Sequence, residues 1–339
     1  MKSCLLVLLL AVSLHAAAQH HEYFTIAPVK KTSAGSYQYF LFQDIRDNRD
    51  DLGIVIEKKI FDYLATVLPK PALDSQFRRL FVGIAADTGN DTLLLQLRAL
   101  RFSERTQQFG GTEAWAFIRV SLYASHSNQW VPLSTLDTVL YATKGDASRL
   151  VTRNAAAVIT SFVETHKADR PAGAGFTWNE IASIDSLEKA MMPLYTAPKL
   201  KDGIYFSYSA LRDQKPDIAK AVLHFQGDRL KSVSTQESGR DEVVESFYAV
   251  VAEGRFFVAG ANGFYEVRRV GNDFVYSGPV KMSAKAEGVV AAQLAFGLAG
   301  GLLAGLPVSQ FVPLTIDHRN GAPIIPASVL RSGRVKEKY

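Results

Sequence analysis

Ser246–Val280 reads SFYAVVAEGRFFVAGANGFYEVRRVGNDFVYSGPV. Runs rich in β-branched and aromatic residues alternate with short Gly-containing breaks. Ser246–Ala252 and Arg255–Ala259 flank Glu253-Gly254, and Gly263–Val270 and Phe274–Val280 flank Gly271-Asn272-Asp273. Strand-length apolar runs joined by Gly-bearing turns predict antiparallel hairpins. The pattern extends upstream, where Ala221–Phe225 and Leu230–Ser234 flank Gly227-Asp228. It extends downstream to Phe311–Asp317, an alternating run that reads as one more strand of the same meander.

The meander carries many rings. Phe247-Tyr248, Phe256-Phe257 and Phe264-Tyr265 are doublets, and adjacent residues of a strand point to opposite faces. A sheet covered on one side only would leave half of these rings outside. Tyr205, Tyr208, Phe257, Tyr265 and Tyr276 are therefore the candidate aromatic surface, able to stack on a glycan or peptide. The competing reading places them in the core and in cross-strand pairs.

The meander opens on Leu200–Arg212, LKDGIYFSYSALR, followed by Lys215-Pro216. This D-G-I-Y opening, the aromatic strand and the later K-P resemble a module of exported Bacteroidota proteins of unknown function. The resemblance covers Leu200–Gly321 and implies an antiparallel meander, with no activity attached to its residues.

Between Val280 and Phe311 lies Val289–Val308, VVAAQLAFGLAGGLLAGLPV, without a charged side chain. Gly297, Gly301 and Gly305 recur every four residues, which on a helix makes one small-residue ridge for close packing. About 20 apolar residues can span a bilayer. A basic tail follows, so a span would place the C-terminus in the cytoplasm. Gln293, the high Gly and Ala content and the return of Phe311–Asp317 to the sheet favour a helix or helical hairpin that packs or lies on a membrane.

Upstream of the meander, Ala168–Gly175, ADRPAGAG, reads as a linker. It separates an N-terminal domain (19–167) from a C-terminal domain (176–339). Tyr37–Asp44 reads as a strand, Ile54–Leu68 as a helix and Phe77–Ala85 as a short strand. Thr92–Phe102, Ala114–Ala124 and Trp130–Ala142 read as long strands, with Leu93, Leu95, Leu97 and Ala99 on one face of the first. Ala147–His166 reads as a helix with Leu150, Asn154, Ala157, Val158, Ser161 and Phe162 near one face, and Trp178–Met192 as another. Together these predict an α+β protein: an N-terminal α/β layer sandwich, then a β-meander domain with a Gly-rich hydrophobic helix.

After the first strand comes Asp44-Ile45-Arg46-Asp47-Asn48-Arg49, D-x-R-D-x-R. On this loop and its architecture, Phe24–Lys167 resembles the small envelope lipoproteins that assist bacterial lipid and lipopolysaccharide transport. The lipid-anchored cysteine of those proteins is absent here; a membrane-anchored accessory subunit of an envelope transport or assembly system is the alternative, with Val289–Val308 as the discriminating stretch. The loop's aspartates could ligate calcium, but the interleaved arginines repel a cation and favour a salt-bridged loop.

Residues 1–18 read as a signal peptide: Lys2, an apolar Leu5–Leu14, and Ala16-Ala17-Ala18 before a cleavage site. The only cysteine, Cys4, precedes that site, so the expected mature chain has no disulfide or thiolate chemistry. A new terminus Gln19-His20-His21 could chelate copper or nickel, though cyclisation of Gln19 would remove the amine. The expected address is exported, periplasmic or outer-membrane-associated, with an inner-membrane single span as the alternative. A net charge of +5 spread along the chain offers no nucleic-acid footprint.

Catalytic signatures are missing. The histidines beyond the N-terminal region are His126, His166, His224 and His318, and none belongs to H-E-x-x-H; no G-x-S-x-G is present. Asp317-His318-Arg319 is the most reactive-looking cluster, but neighbours on a strand face apart. The chain is expected to be a non-enzymatic envelope protein without cofactor or metal, binding a protein or envelope partner.

Overall fold

The computed structural model describes residues 20–30, 35–58, 62–87, 90–106, 112–143, 145–236, 239–260, 263–282, 292–293 and 309–324. The chain divides into two compact units, Met1–Phe176 and Thr177–Tyr339. Residues 1–18, read as a signal peptide, fall outside the described residues. The class is α+β.

The first unit contains β1 (His20–Phe24), β2 (Tyr39–Asp44), β3 (Gly53–Lys58), β4 (Asp62–Pro69), α1 (Leu73–Val82), β5 (Thr92–Thr106), β6 (Thr112–His126), β7 (Gln129–Ala142) and α2 (Ala147–His166). One seven-stranded sheet runs β1-β4-β3-β5-β6-β7, with β2 also on β5. β2 pairs in parallel with Thr92–Leu97, and β3 with Phe102-Ser103 further along the same strand. The β6–β7 turn is Ser127-Asn128, both at positive φ (49° and 65°), the twist that suits a two-residue hairpin.

Two elements differ from the sequence reading. Ile54–Leu68 is not a helix but the antiparallel pair β3–β4. Its Ile54, Val55, Ile56, Thr66 and Val67 are β-branched and fit a pleated surface, and Val55, Ala65 and Val67 are fully buried. Phe77–Ala85 is not a strand. Most of it belongs to α1, whose buried stripe Leu73, Gln76, Phe77, Leu80 and Phe81 has helical spacing that begins before Phe77.

The core lies between one face of the sheet and the two helices. Leu93, Leu95 and Leu97 meet Phe77 and Leu80 of α1 and Val151, Ala155, Ile159 and Val163 of α2 within one cluster. A bulge between Leu97 and Ala99 shifts the register, so Leu100 and Phe102 continue the core face in place of Ala99. The stripe expected on α2 is out of phase by one residue. Val151, Ala155, Ile159 and Val163 face the core, whereas Asn154, Ala157 and Ser161 are exposed. The helix begins where the Asp146 carboxylate accepts the Arg149 N–H at 3.2 Å. The opposite face of the sheet carries polar cross-strand pairs: Arg119 with Asp137 at 2.9 Å and Ser121 with Thr135 at 2.9 Å.

The stretch read as a linker belongs to the first unit. Phe176 and Trp130 exchange backbone hydrogen bonds of 2.9 and 2.8 Å, Arg170 meets Asp91 at 3.2 Å, and the Tyr37 hydroxyl donates to the Asp169 carbonyl. The division therefore falls at Phe176/Thr177.

The second unit contains α3 (Trp178–Ala182), α4 (Ile184–Ala190), α5 (Pro193–Thr196), β8 (Gly203–Tyr205), α6 (Tyr208–Arg212), β9 (Val222–Gln226), β10 (Arg229–Thr235), β11 (Glu242-Val243), β12 (Ala249–Ala252), β13 (Arg255–Gly260), β14 (Gly263–Val270), β15 (Asp273–Met282), β16 (Ala292-Gln293), β17 (Ser309–Ile316) and β18 (Pro323-Ile324). The helix read at Trp178–Met192 is two short ones. α3 starts with a capping box in which Thr177 and Glu180 exchange hydrogen bonds, and these hold the Glu180 carboxyl below its ordinary range.

An eight-stranded sheet runs β18-β17-β15-β14-β13-β12-β8, with β16 on β15. The hairpins at Glu253-Gly254 and Gly271-Asn272 form as read. The hairpin β9–β10 forms too, but in a separate three-stranded sheet, β11-β10-β9, and not in the meander. That sheet covers one face of the meander through Leu230 and Val233 packed with Ile204, Phe247, Val250 and Phe257. The helical segments cover the other through Leu194, Tyr195, Tyr208 and Leu211 packed with Tyr205, Phe256 and Phe274. Both faces are buried, so each doublet sends one ring into each layer.

Gly297, Gly301 and Gly305 lie outside the described residues, as does most of Val289–Val308. Ala292-Gln293 pairs with Lys281-Met282, and β17 returns to β15 with Ser309 opposite Lys281. Among the described residues no helix is long and apolar enough to cross a membrane.

Candidate functional site

A groove of about 1050 Å³ lies in the first unit. One wall is Tyr23, Phe24, Thr25, Ala27, Pro28 and Val29; the other is the exposed flank of α2 from Asp146 to Glu164. The first wall keeps the period of a strand beyond the end of β1. Tyr23, Thr25 and Ala27 are exposed, whereas Phe24 and Ile26 are buried. Gln76 holds this wall in place, accepting from the Ile26 N–H at 2.6 Å and donating to the Phe24 carbonyl at 3.1 Å.

On the helix wall, Ala156, Ala157, Thr160 and Ser161 are small and leave the groove wide. Near its start, Arg149 and Arg153 stand one turn apart and exposed, and among the described residues their guanidinium groups form no ion pair. The Asp146 carboxylate is already occupied by the Arg149 N–H and the Ser148 hydroxyl. The stripe read on α2 counts three of the groove's residues, Leu150, Ala157 and Ser161, as a packed face, so it hides the groove. The signal was the small and polar character of Ala157 and Ser161.

In the second unit the structure gathers Asp185, Glu188 and His318, with candidate donor atoms within 4.8 Å of one another. His318 does not pair with Asp317. Its Nε2 lies 2.8 Å from Glu188 Oε2 and 4.0 Å from Asp185 Oδ1. The other Glu188 oxygen accepts from Arg319 Nη1 at 3.1 Å. A carboxylate shared between an imidazole and a guanidinium is a structural tie that fastens α4 to the Asp317–Gly321 turn. The Tyr208 hydroxyl donates to the His318 carbonyl and the Tyr248 hydroxyl to the Gly321 carbonyl, at 2.7 and 2.8 Å, fastening the turn from the sheet side. Glu188 had no sequence signal, because it lies 130 residues from His318.

The candidate aromatic surface is largely interior. Tyr205, Tyr208 and Phe257 are buried at 0, 7 and 3% exposure and form no surface, because helices and the small sheet occupy both sides of the meander. Burial pushes the phenols of Tyr195 and Tyr205 up to about 12, and those of Tyr208 and Tyr248 further in the same direction. Tyr265 and Tyr276 are half-buried and stack on each other with centroids 5.8 Å apart. Two rings already stacked on each other and partly covered make a small platform.

The remaining polar candidates are engaged locally. Arg46 grips Asp44 with both ends of its guanidinium, Nε to Oδ1 at 3.0 Å and Nη2 to Oδ2 at 2.7 Å, which leaves the carboxylate bound to a cation of the chain itself. His224 meets Ser234 at 2.7 Å, and His166 meets Asp169 at 2.6 Å. His126 is exposed beside the β6–β7 turn, and His20 and His21 are part of β1; Gln19 lies outside the described residues.

No family model matches the chain, and no characterised protein matches it in sequence. Two solved structures align with part of it. One is an uncharacterised protein, 12% identical, with a TM-score of 0.27 over 43% of this chain and 98% of that one. The other is a Xanthomonas campestris protein described as DUF330, 10% identical, with a TM-score of 0.28 over 49% of this chain and 99% of that one. At these scores the likeness carries no argument about function.

Proposed function

We propose that the chain is a non-enzymatic protein of the bacterial cell envelope that binds a protein partner, with the groove of the first unit as the binding surface. The observation that carries this reading is the groove itself, a long concavity walled by a strand-like segment and a helix with small side chains. The reactive-looking groups support it from the other side. Asp44 is held by Arg46, and His318 and Arg319 are held by Glu188, so their chemistry is spent on architecture.

The accessory-subunit reading shares the envelope address but adds a membrane anchor. The pairing of Lys281 with Ser309 sets these two residues side by side on one sheet, which supports the binding reading over a single membrane span between them.

A photo-crosslinking residue in place of Ala157, inside the groove, tests the binding reading in the native envelope. Val82, 69% exposed on α1, is the control position. A discrete adduct at Ala157 and none at Val82 is expected. Equal labelling at both, or none at Ala157, overturns the groove as the binding surface.

A further inference from the structure

We infer that the groove accepts an extended, acidic polypeptide segment, which adds as a strand beside Tyr23–Ala27 with its acidic end at Arg149 and Arg153. This rests on the partner-binding reading and names the partner's chemistry. Three features carry it. Among the described residues β1 is the terminal strand of the sheet order, and the strand period of exposed Tyr23, Thr25 and Ala27 continues along the groove. An extended wall at a sheet margin is a template for main-chain pairing, the mode by which peptides extend sheets.

The opposite wall is built to leave space. Ala156, Ala157, Thr160 and Ser161 line it where longer side chains would fill the width a strand needs. The groove also has the length. Arg149 to Glu164 spans about 22 Å at the helical rise of about 1.5 Å per residue, which matches roughly seven residues of strand at about 3.3 Å each.

Charge sets the direction and the partner. Arg149 and Arg153 project one turn apart near one end, and Glu164 stands at the other. Asp146, the nearest carboxylate, serves as the helix cap. A segment with carboxylates at one end meets complementary charge there, and a basic one meets repulsion.

The test uses the full chain and a fluorescein-labelled alternating Glu–Val peptide, followed by fluorescence anisotropy. Saturable, salt-sensitive binding is expected. Arg149→Glu with Arg153→Glu, both on an exposed helix flank, should weaken it by on the order of tenfold or more. The same peptide N-methylated at alternate amides should bind much more weakly, because it cannot complete a ladder. Equal binding of the methylated peptide, of a Lys–Val peptide, or by the double variant overturns the inference. So does Arg-dependent binding of phosphatidylglycerol vesicles without peptide binding, which would make the groove a lipid-headgroup site. A crosslinked partner at Ala157 that is indifferent to the double variant leaves partner binding standing and removes acidic strand addition. Peptide binding with no crosslinked partner in the envelope does the reverse.

Discussion

The two large sheets of this protein solve the same burial problem differently. In the first unit, apolar Leu93, Leu95 and Leu97 face the helices, and the other face carries polar pairs such as Arg119–Asp137. In the second, Phe256 faces the helical side and its neighbour Phe257 faces the three-stranded sheet. Alternation marks a sheet with one apolar face, and consecutive aromatics mark a sheet that needs two covers. A ring doublet is therefore evidence for a second layer before it is evidence for an aromatic ligand platform.

Alkali should separate the units most strongly. In the second unit, burial raises Tyr195 and Tyr205 to about 12 and Tyr208, Tyr248 and Tyr276 above the ordinary phenol range, whereas in the first Tyr37 shows such a rise. The native state keeps these protons while the unfolded chain, with phenols near 10, releases them. Stability is full below pH 10 and falls as pH rises from there toward about 12. Tyrosinate absorbance near 295 nm should rise cooperatively with loss of structure in the second unit first. Gradual ionisation of a still-folded unit would contradict the two-sided burial.

The doublets themselves can be tested next. Phe257→Ala should cost about 3–5 kcal/mol in urea unfolding, as Phe256→Ala should on the other face. Val139→Ala, half exposed on the polar face of the first sheet, should change stability by under about 0.5 kcal/mol. A small effect at Phe257 would mean that the three-stranded sheet is a loose cover.

In the first unit, Asp44→Asn leaves the buried Arg46 guanidinium without its carboxylate and should cost about 3 kcal/mol, measured the same way. A smaller effect is expected in the second unit at Gly321. This residue has φ +76°, and a methyl group there would collide with the Tyr208 ring. Gly321→Ala should cost about 1–3 kcal/mol and loosen the Asp317–Gly321 turn, visible as faster amide exchange there. An unperturbed turn would show that the tyrosine hydroxyls do not fasten it.

Much of this fold is legible in the chain. The hairpins around Glu253-Gly254 and Gly271-Asn272, the long strands from Thr92 to Ala142 and the helix Ala147–His166 follow from local turn chemistry and periodicity. Ile54–Leu68 was ambiguous, because its apolar spacing fits both periods and only pairing with β5 and within itself selects the strand. The phase of α2 was also undecided locally. A one-residue rotation exchanges Val151, Ala155 and Ile159 for Leu150, Asn154 and Val158, and only the sheet beneath chooses.

The candidate site shows the limit most clearly. The amino-acid sequence by itself determined the β-rich second half, the pairing partners across short turns and the residues capable of chemistry, because these depend on neighbours within a few positions. Tertiary structure decided what those residues do. It joined Glu188 to His318 across 130 positions, covered both faces of the meander and thereby removed Tyr205, Tyr208 and Phe257 from the surface. It also set the non-core flank of α2 beside Tyr23–Val29 to form the groove. Burial and long-range contact depend on what the rest of the chain places above a residue, and no local pattern carries that information.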